Sequence, residues 1–266
     1  MASLCKTAAA VCLAAVYGLQ SEASDTKITY KFKPVVVNDA GYLAANLVRN
    51  GKLAVHISDV AKSESIVSAL TSTVQSQTNE IVENAVSDSA CAALMDNTKL
   101  KDIFHYTFEY TDDVSQSSPN YRELLQKALN AGLEVFKKTE YQNDWDKIWK
   151  DDAGASLAYL LGANSTTIGC VIGQCTTRTS AVNARQSGDE STTGSAVLFC
   201  ELSPAALKGK APFDDEYLDA LLARTAKLAD MTEEDLKANT NDGTAATAVP
   251  TILAAGLVAM LTALSV

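Results

Sequence analysis

The sequence contains few residues of the kinds that perform catalysis. Its 266 residues include two histidines, His56 and His105, and neither belongs to a recognisable motif. Histidine is the side chain whose ordinary pKa suits general-base work near neutral pH. The motifs G-x-S-x-G, H-E-x-x-H and G-x-G-x-x-G and the Walker loop are all missing. We therefore expect a protein that is not an enzyme, with no catalytic residue, no bound metal and no cofactor.

Basic residues are also sparse. The chain has 22 Lys and Arg against 32 Asp and Glu, which gives a formal net charge of −10, and the longest basic run is Lys137-Lys138. Binding to a phosphate backbone needs clustered Lys and Arg. Nucleic acid is therefore excluded as a partner, and the acidic surface is explained by solubility.

A long apolar run occupies residues 249–266, and the last basic residue before it is Lys237. A membrane-spanning helix needs roughly 20 apolar residues and usually has Lys or Arg on its cytoplasmic side. Small residues at 241–243, a short polar spacer and an apolar tail are instead typical of a removable GPI-attachment signal. This pattern predicts attachment at Asn241, or at Asn239 because the spacer is short, with residues 242–266 removed. A tail anchor or a buried C-terminal helix are the alternatives.

The first 23 residues have the composition of a secretory signal peptide. Lys6 precedes an apolar stretch, and the triplet Ser21-Glu22-Ala23 predicts cleavage after Ala23. The remaining residues, 24–241, are enough for one domain with its own core. We expect this ectodomain to be held by a GPI anchor in the outer leaflet of the plasma membrane.

Four cysteines remain after the predicted signal peptide takes away Cys5 and Cys12. An even number of cysteines in an oxidising compartment predicts two disulfides, for which three connectivities are possible. A C-x4-C spacing with no second ligand pair argues against a zinc site. The four cysteines are Cys91, Cys170, Cys175 and Cys200.

Apolar spacing predicts helices that alternate with strands. Helices are expected over 39–49, over 63–86 as one long or two shorter helices, from about Pro119, and over 214–229 after Pro212. Strands are expected over 103–110, around 168–172, and over 195–204, with the last two paired antiparallel across an exposed loop at 181–194. Elements in this order indicate a sheet covered by helices on both faces.

Several segments distributed over nearly the full length resemble those of a known group of proteins. They are YLAANLVRNGKL, ASLAYLLGANSTTIGCVIGQC, AVLFCELSPAA, PFDDEYLDALLAR and MTEEDL. With the apolar tail, they resemble the SAG surface antigens of Eimeria, a coccidian parasite. The resemblance implies a GPI-anchored surface antigen without enzymatic activity that attaches to host cells or engages host immunity. Its partners would be host cell-surface or immune molecules.

A second resemblance involves the N-x-x-R pattern at Asn46 and Arg49 together with IGCVIGQC and VLFCELSP. These segments look like the CAP superfamily of cysteine-rich secretory, antigen-5 and pathogenesis-related proteins. The resemblance implies an α+β fold, a three-layer α-β-α sandwich with a mixed or antiparallel central sheet. It also implies the disulfide pairs Cys170–Cys200 and Cys91–Cys175.

The CAP-like pattern is incomplete. Ala45 stands where many CAP proteins have a histidine, and the stretch 149–169 contains no histidine, so a CAP-like cation site is not expected. Two alternative functions remain. A small-lipid or sterol carrier would need a continuous apolar cavity, and a degenerate hydrolase would need His56 or His105 beside a nucleophile and an acid.

One N-glycosylation sequon is present, Asn164-Ser165-Thr166. Such sequons are acceptors on exposed loops of secreted proteins. Asn164 is therefore a candidate glycosylation site.

Overall fold

The computed structural model describes residues 26–82, 88–95, 99–110, 118–138, 144–181 and 190–237. Its strands are β1 (Thr26–Val36), β2 (Ala61–Lys62), β3 (Thr78–Val82), β4 (Phe104–Glu109), β5 (Thr167–Ala181) and β6 (Glu190–Ser203). Its α-helices are α1 (Asp39–Asn50), α2 (Glu64–Gln75), α3 (Asp88–Ala93), α4 (Tyr121–Phe136), α5 (Trp145–Ile148), α6 (Asp152–Leu160) and α7 (Asp215–Ala223). Within these residues, 3₁₀ turns cover Lys99–Asp102, Leu228–Asp230 and Glu233–Leu236.

The centre of the fold is an antiparallel sheet with the strand order β3-β1-β5-β6-β4. The short strand β2 adds a parallel pairing to the start of β5. The long strands β5 and β6 lie in the middle, and the residues of β5 from Ile168 to Thr177 are buried although several are polar. The predicted α+β class with an antiparallel central sheet is confirmed.

Helices pack on this sheet and on one another. A Cβ on Gly169 of β5 would lie 2.6 Å from Ile66 Cγ2 of α2, so glycine at this position lets the helix approach the strand. Gly132 of α4 allows the same close approach to Leu157 of α6, because a Cβ there would lie 2.4 Å from Leu157 Cβ. Close packing of this kind leaves no room for an added methyl group.

Helix starts follow capping rules that the sequence shows directly. The side chains of Asn38, Asn120, Asp151 and Asp214 each accept a hydrogen bond from a backbone N–H in the first turn of the helix that follows. Such caps satisfy donors that have no partner within the helix. The helix predicted near Pro119 therefore begins at Tyr121, after its Asn120 cap.

Three element predictions need correction. The helix predicted over 63–86 ends at Gln75, and Thr78–Val82 forms an edge strand on β1. The exposed loop predicted over 181–194 is wrong for Ala181, the last residue of β5, and for residues 190–194, which belong to β6. Residues 83–87 and 182–189 lie outside the described part of the chain. The helix after Pro212 ends at Ala223, because Arg224 then turns inward onto the end of α1.

Candidate functional site

Both disulfides hold the centre of the sheet. Cys170 and Cys200 lie directly opposite each other on β5 and β6, with their Cα atoms 4.2 Å apart. Cys91 of α3 is bonded to Cys175 of β5 over a Cα separation of 6.1 Å. These are the pairs that the CAP resemblance implies. All four sulfur atoms are buried in disulfides, so none of them is a thiolate for catalysis or metal binding.

His105 of β4 lies beside an acid and a hydroxyl, as the hydrolase alternative would require. Its Nε2 atom is 3.3 Å from each carboxylate oxygen of Asp152, and its Nδ1 atom is 3.0 Å from the carbonyl oxygen of Ile103. The Ser156 hydroxyl, however, donates to the His105 carbonyl at 2.7 Å and accepts from the His105 N–H at 3.0 Å. Because its hydroxyl binds the backbone and not the imidazole, Ser156 is not activated as a nucleophile.

His56 offers no catalytic arrangement either. Its Nε2 atom lies 3.0 Å from the carbonyl oxygen of Leu53, three residues earlier in the same loop. Among the residues that the structure describes, no group of three or more His, Cys, Asp or Glu side chains could hold a metal ion. Neither histidine is therefore part of a described catalytic or metal-binding cluster.

The N-x-x-R pattern on α1 has a structural role. The Asn46 side chain accepts from the N–H of Val60 and donates to its carbonyl, both at 2.9 Å, and so mimics a strand partner for this loop. Arg49 is fully buried, and its guanidinium donates to the carbonyl oxygens of Ser58, Leu160, Gly162 and Ser165. Burial lowers the pKa of Arg49 to about 10, so the group is still charged at neutral pH.

A second arginine, Arg224, binds carbonyl oxygens at the C-terminal end of α1. The Arg224 Nη1 atom donates to the carbonyl oxygens of Leu47, Val48 and Gly51 at the end of α1, of which that of Leu47 also accepts from the Gly51 N–H. The Tyr217 hydroxyl donates to the carbonyl of Arg49 at 2.6 Å, and burial raises the pKa of Tyr217. A cation at a helix C-terminus also interacts favourably with the helix dipole. This cluster fixes the loops at one end of the sheet.

An open cleft of about 510 Å³ lies where α2, the turn Lys99–Asp102 and β6 meet. Its floor includes the buried Leu100, but its rim carries the Asp102 carboxylate, which is 2.9 Å from Lys208 Nζ. The Tyr159 hydroxyl donates to the same carboxylate at 3.4 Å, and burial together with the Asp102 charge raises the pKa of Tyr159 to about 12. Most of the lining residues are apolar, as a carrier of sterol or lipid needs, but the cleft is open to solvent and its rim is charged.

The described residues include some of the predicted processing and modification sites but not others. Asn164 is exposed in the turn before β5, where Ser165 is buried and its hydroxyl donates to the Pro204 carbonyl. The predicted signal peptide, the attachment candidates Asn239 and Asn241, and the apolar run at 249–266 all lie outside the described residues. Within the part that is described, no helix is both long and apolar enough to cross a bilayer.

The end of the described chain and the far end of the β5–β6 hairpin, at Ala181 of β5 and Glu190 of β6, lie at opposite ends of the sheet. The Lys52 N–H donates to the carbonyl of Asp235, which places the turn Glu233–Leu236 against the end of α1. That end of α1 adjoins the start of β5 at Thr167 through the Arg49 bonds to the preceding loop. At its other end β5 pairs Ala181 with Thr26 of β1. A strand of this length extends roughly 45 Å at about 3.3 Å per residue.

Comparison with known proteins finds one similar solved structure to report. No protein-family model matches the chain, and no curated protein matches it. The crystal structure of the Eimeria tenella surface antigen protein SAG19 is similar, with a TM-score of 0.39 and 18% sequence identity, covering 72% of this chain and 97% of that chain. Similarity at this TM-score does not establish a shared fold, so the α+β class rests on the sheet and helices described above. A CAP-like ectodomain is not supported.

Proposed function

We propose that this chain is a parasite surface antigen without enzymatic activity, tethered by a glycolipid and engaging host cell-surface or immune molecules. The observation that carries the proposal is the placement of the two ends of the domain. The turn Glu233–Leu236, which precedes Asn239 and Asn241 in the sequence, lies at one end of the sheet, and β5 reaches Ala181 at the other. A tether at the first end holds the hairpin away from the membrane, where a host molecule reaches it.

Three further features support the proposal. The segments that resemble the SAG antigens include both disulfide strands, and the disulfides suit a domain in an oxidising compartment. The arrangement of His105, Asp152 and Ser156 lacks an activated nucleophile. Display of many copies on one surface turns weak individual contacts into avid binding, so a surface antigen needs no deep binding site.

The strand ends far from the proposed tether carry polar and charged groups suited to a protein partner. Lys31 of β1 forms an ion pair of 2.7 Å with Glu190 at the start of β6, and Lys27 pairs with Glu80 at 2.6 Å. Exposed pairs of this kind contribute little to stability. They are free to exchange partners with charged groups of a host molecule, which affects association rate and specificity.

The tether is tested by treating intact cells that express the full chain with phosphatidylinositol-specific phospholipase C. We expect release of the wild-type protein into the medium, since the enzyme cuts the glycolipid. The double variant Asn239→Lys/Asn241→Lys should lose surface display because neither attachment residue remains small. Asn164→Gln serves as the control, because this change alters only the glycosylation candidate.

Retention of the wild-type protein on treated cells would contradict the anchor, as would peptides from residues 249–266 in the surface-exposed molecule. A released protein that fails to bind cultured host epithelial cells at any concentration would contradict the attachment role while leaving the anchor intact. The two parts of the proposal are therefore separable.

A further inference from the structure

The edge strand β4 carries main-chain groups that point away from the sheet. β4 pairs with β6 on one side, and Tyr110 continues this pairing through its N–H to the Gly194 carbonyl at 2.7 Å. Neighbouring residues of an antiparallel strand alternate in direction. His105, Thr107 and Glu109 therefore direct their N–H and C=O groups outward, on the side opposite β6.

At one position of this edge, a side chain forms hydrogen bonds with the outward main-chain groups. The Ser156 hydroxyl of α6 accepts from the outward N–H of His105 at 3.0 Å and donates to its outward carbonyl at 2.7 Å. One hydroxyl thus takes the place of a neighbouring strand at His105. Across the described residues, no side chain does the same for Thr107 or Glu109, and both residues are exposed. An exposed edge of this kind is a template for pairing with another strand.

Two grooves run along the open edge between β4 and the helices. One, of about 240 Å³, lies beside Thr107 and is bordered by Ala128 and Ala131 of α4 and by Ala153 of α6. The other, of about 210 Å³, lies beside Phe108 and Glu109. Small side chains on the helices leave this space open. An added strand needs about 4.8 Å between backbones and pockets for alternate side chains.

The charges beside the grooves favour a basic occupant. Asp152, with a side chain 76% exposed, stands at one end, and Glu109 and Glu123 stand at the other. Among the described residues that line these two grooves, Lys127 carries the one ammonium group, and it is paired with Glu123 at 2.8 Å. Three carboxylates against one ammonium among these residues give the grooves a negative potential. Complementary charge steers a partner and selects it against acidic competitors.

We propose that β4 and α4 form a binding site for an extended, basic polypeptide segment of a partner protein, which adds to the sheet as a strand beside Thr107 and Glu109. Main-chain hydrogen bonds to these two residues hold the segment, its side chains enter the two grooves, and Lys or Arg residues near its ends contact Asp152 and Glu109. This site lies on the flank of the domain and does not depend on the proposed tether or on the distal hairpin.

The probe is the fluorescein-labelled heptapeptide KVTVTVK, and the protein is the purified full chain in detergent. Binding is measured by fluorescence polarisation. We expect KVTVTVK to bind at least about tenfold more tightly than EVTVTVE, because the carboxylates of the site repel the acidic peptide. N-methylation at two adjacent central residues of KVTVTVK should abolish binding, since it removes a donor from each edge of the peptide.

Two protein variants separate the main-chain bonds from the grooves. Thr107→Pro removes one outward N–H without breaking a bond to β6, because proline is tolerated on an edge strand. It should weaken binding by roughly threefold to tenfold, the effect of one hydrogen bond. Ala131→Trp, at an exposed position of α4, should fill the groove beside Thr107 and abolish binding. Glu134→Trp, also exposed on α4 but outside the grooves, is the matched control and should bind as the wild type does.

Circular dichroism establishes that each variant is folded. Absence of KVTVTVK binding to the wild-type chain would overturn the proposal, as would equal binding of KVTVTVK and EVTVTVE. Unchanged binding by a folded Ala131→Trp variant would also overturn it. Self-association of the wild type that Thr107→Pro abolishes would assign the edge to a second copy of this chain and would overturn the basic-peptide assignment.

Discussion

Replacing Arg49 by methionine is expected to lower the free energy of unfolding by about 3 to 5 kcal/mol. Methionine fills similar space, but it leaves the carbonyl oxygens of Ser58, Leu160, Gly162 and Ser165 without the buried donor that now satisfies them. Such a loss is a large share of the stability of a domain of this size. Urea unfolding followed by circular dichroism, with the disulfides intact, measures the effect.

Arg49→Lys tests whether a positive charge alone is sufficient for the stability that Arg49 provides. Lysine keeps the charge but lacks the planar fork that reaches several carbonyls at once, so we expect it to recover only part of the lost stability. Lys150→Met is the control, because Lys150 is exposed and its removal should change the free energy of unfolding by less than about 0.5 kcal/mol. An Arg49→Met protein that unfolds within about 0.5 kcal/mol of the wild type, like this surface control, would contradict the role assigned to the buried guanidinium.

Removing either disulfide is expected to lower the free energy of unfolding by a similar amount, and removing Cys91–Cys175 is expected to lower it more. The Cys91–Cys175 bond closes a sequence separation of 84 residues, and Cys170–Cys200 closes one of 30. In the chain-entropy account these loops correspond to about 4.6 and about 3.7 kcal/mol. The pair Cys91→Ala/Cys175→Ala should therefore destabilise the protein more than Cys170→Ala/Cys200→Ala. Thermal unfolding of the two double variants measures the order.

The secondary structure around the four cysteines supports the same order of destabilisation. Cys170 and Cys200 lie on strands that are also paired with each other from Thr167–Ser203 to Arg178–Glu190, whereas Cys91 lies on the short helix α3, which the disulfide joins to β5. Cys12→Ala is the control, because the predicted signal peptide removes Cys12 before the domain matures. A larger loss from the Cys170–Cys200 pair would show that loop length does not set the contribution.

The parts of the fold that local pattern could predict are those where one face is buried. The alternation in 103–110 predicted β4, and the structure has Phe104–Glu109 there. The spacing in 39–49 predicted α1, which the structure extends to Asn50. In both segments the buried face of the element repeats with the period of that element. β1 shows the same kind of signal, because Ile28, Tyr30 and Phe32 alternate and are buried, so its pattern could have been found.

The parts that could not be predicted depend on partners distant in sequence. β3 has a polar sequence, Thr78-Asn79-Glu80, and becomes a strand because β1 supplies its hydrogen bonds. The polar residues Gln174 and Thr176 are buried because β5 has a neighbour on each side. Strand propensity depends on such context more than helix propensity does. The length of β5 was therefore underestimated.

The candidate site residues also divide into those with a local sequence pattern and those that depend on partners distant in sequence. The N-x-x-R pattern on α1 was visible in the sequence, but its role as a set of bonds to distant carbonyls requires the loop at 160–165 to be in place. His105 lies 47 and 51 positions before Asp152 and Ser156 in the sequence, and no local motif links it to them. The disulfide pairs came from a resemblance, because spacing alone left three connectivities open.

The central claim is that the domain is tethered at the end that carries the turn Glu233–Leu236, with the β5–β6 hairpin directed outward. Energy transfer on intact cells tests it directly, with a donor fluorophore placed through an unnatural amino acid at Glu234 or at Thr192 and an acceptor dye in the outer leaflet. Both positions are exposed. The account predicts strong transfer from Glu234 and weak transfer from Thr192, and equal or reversed transfer would contradict it.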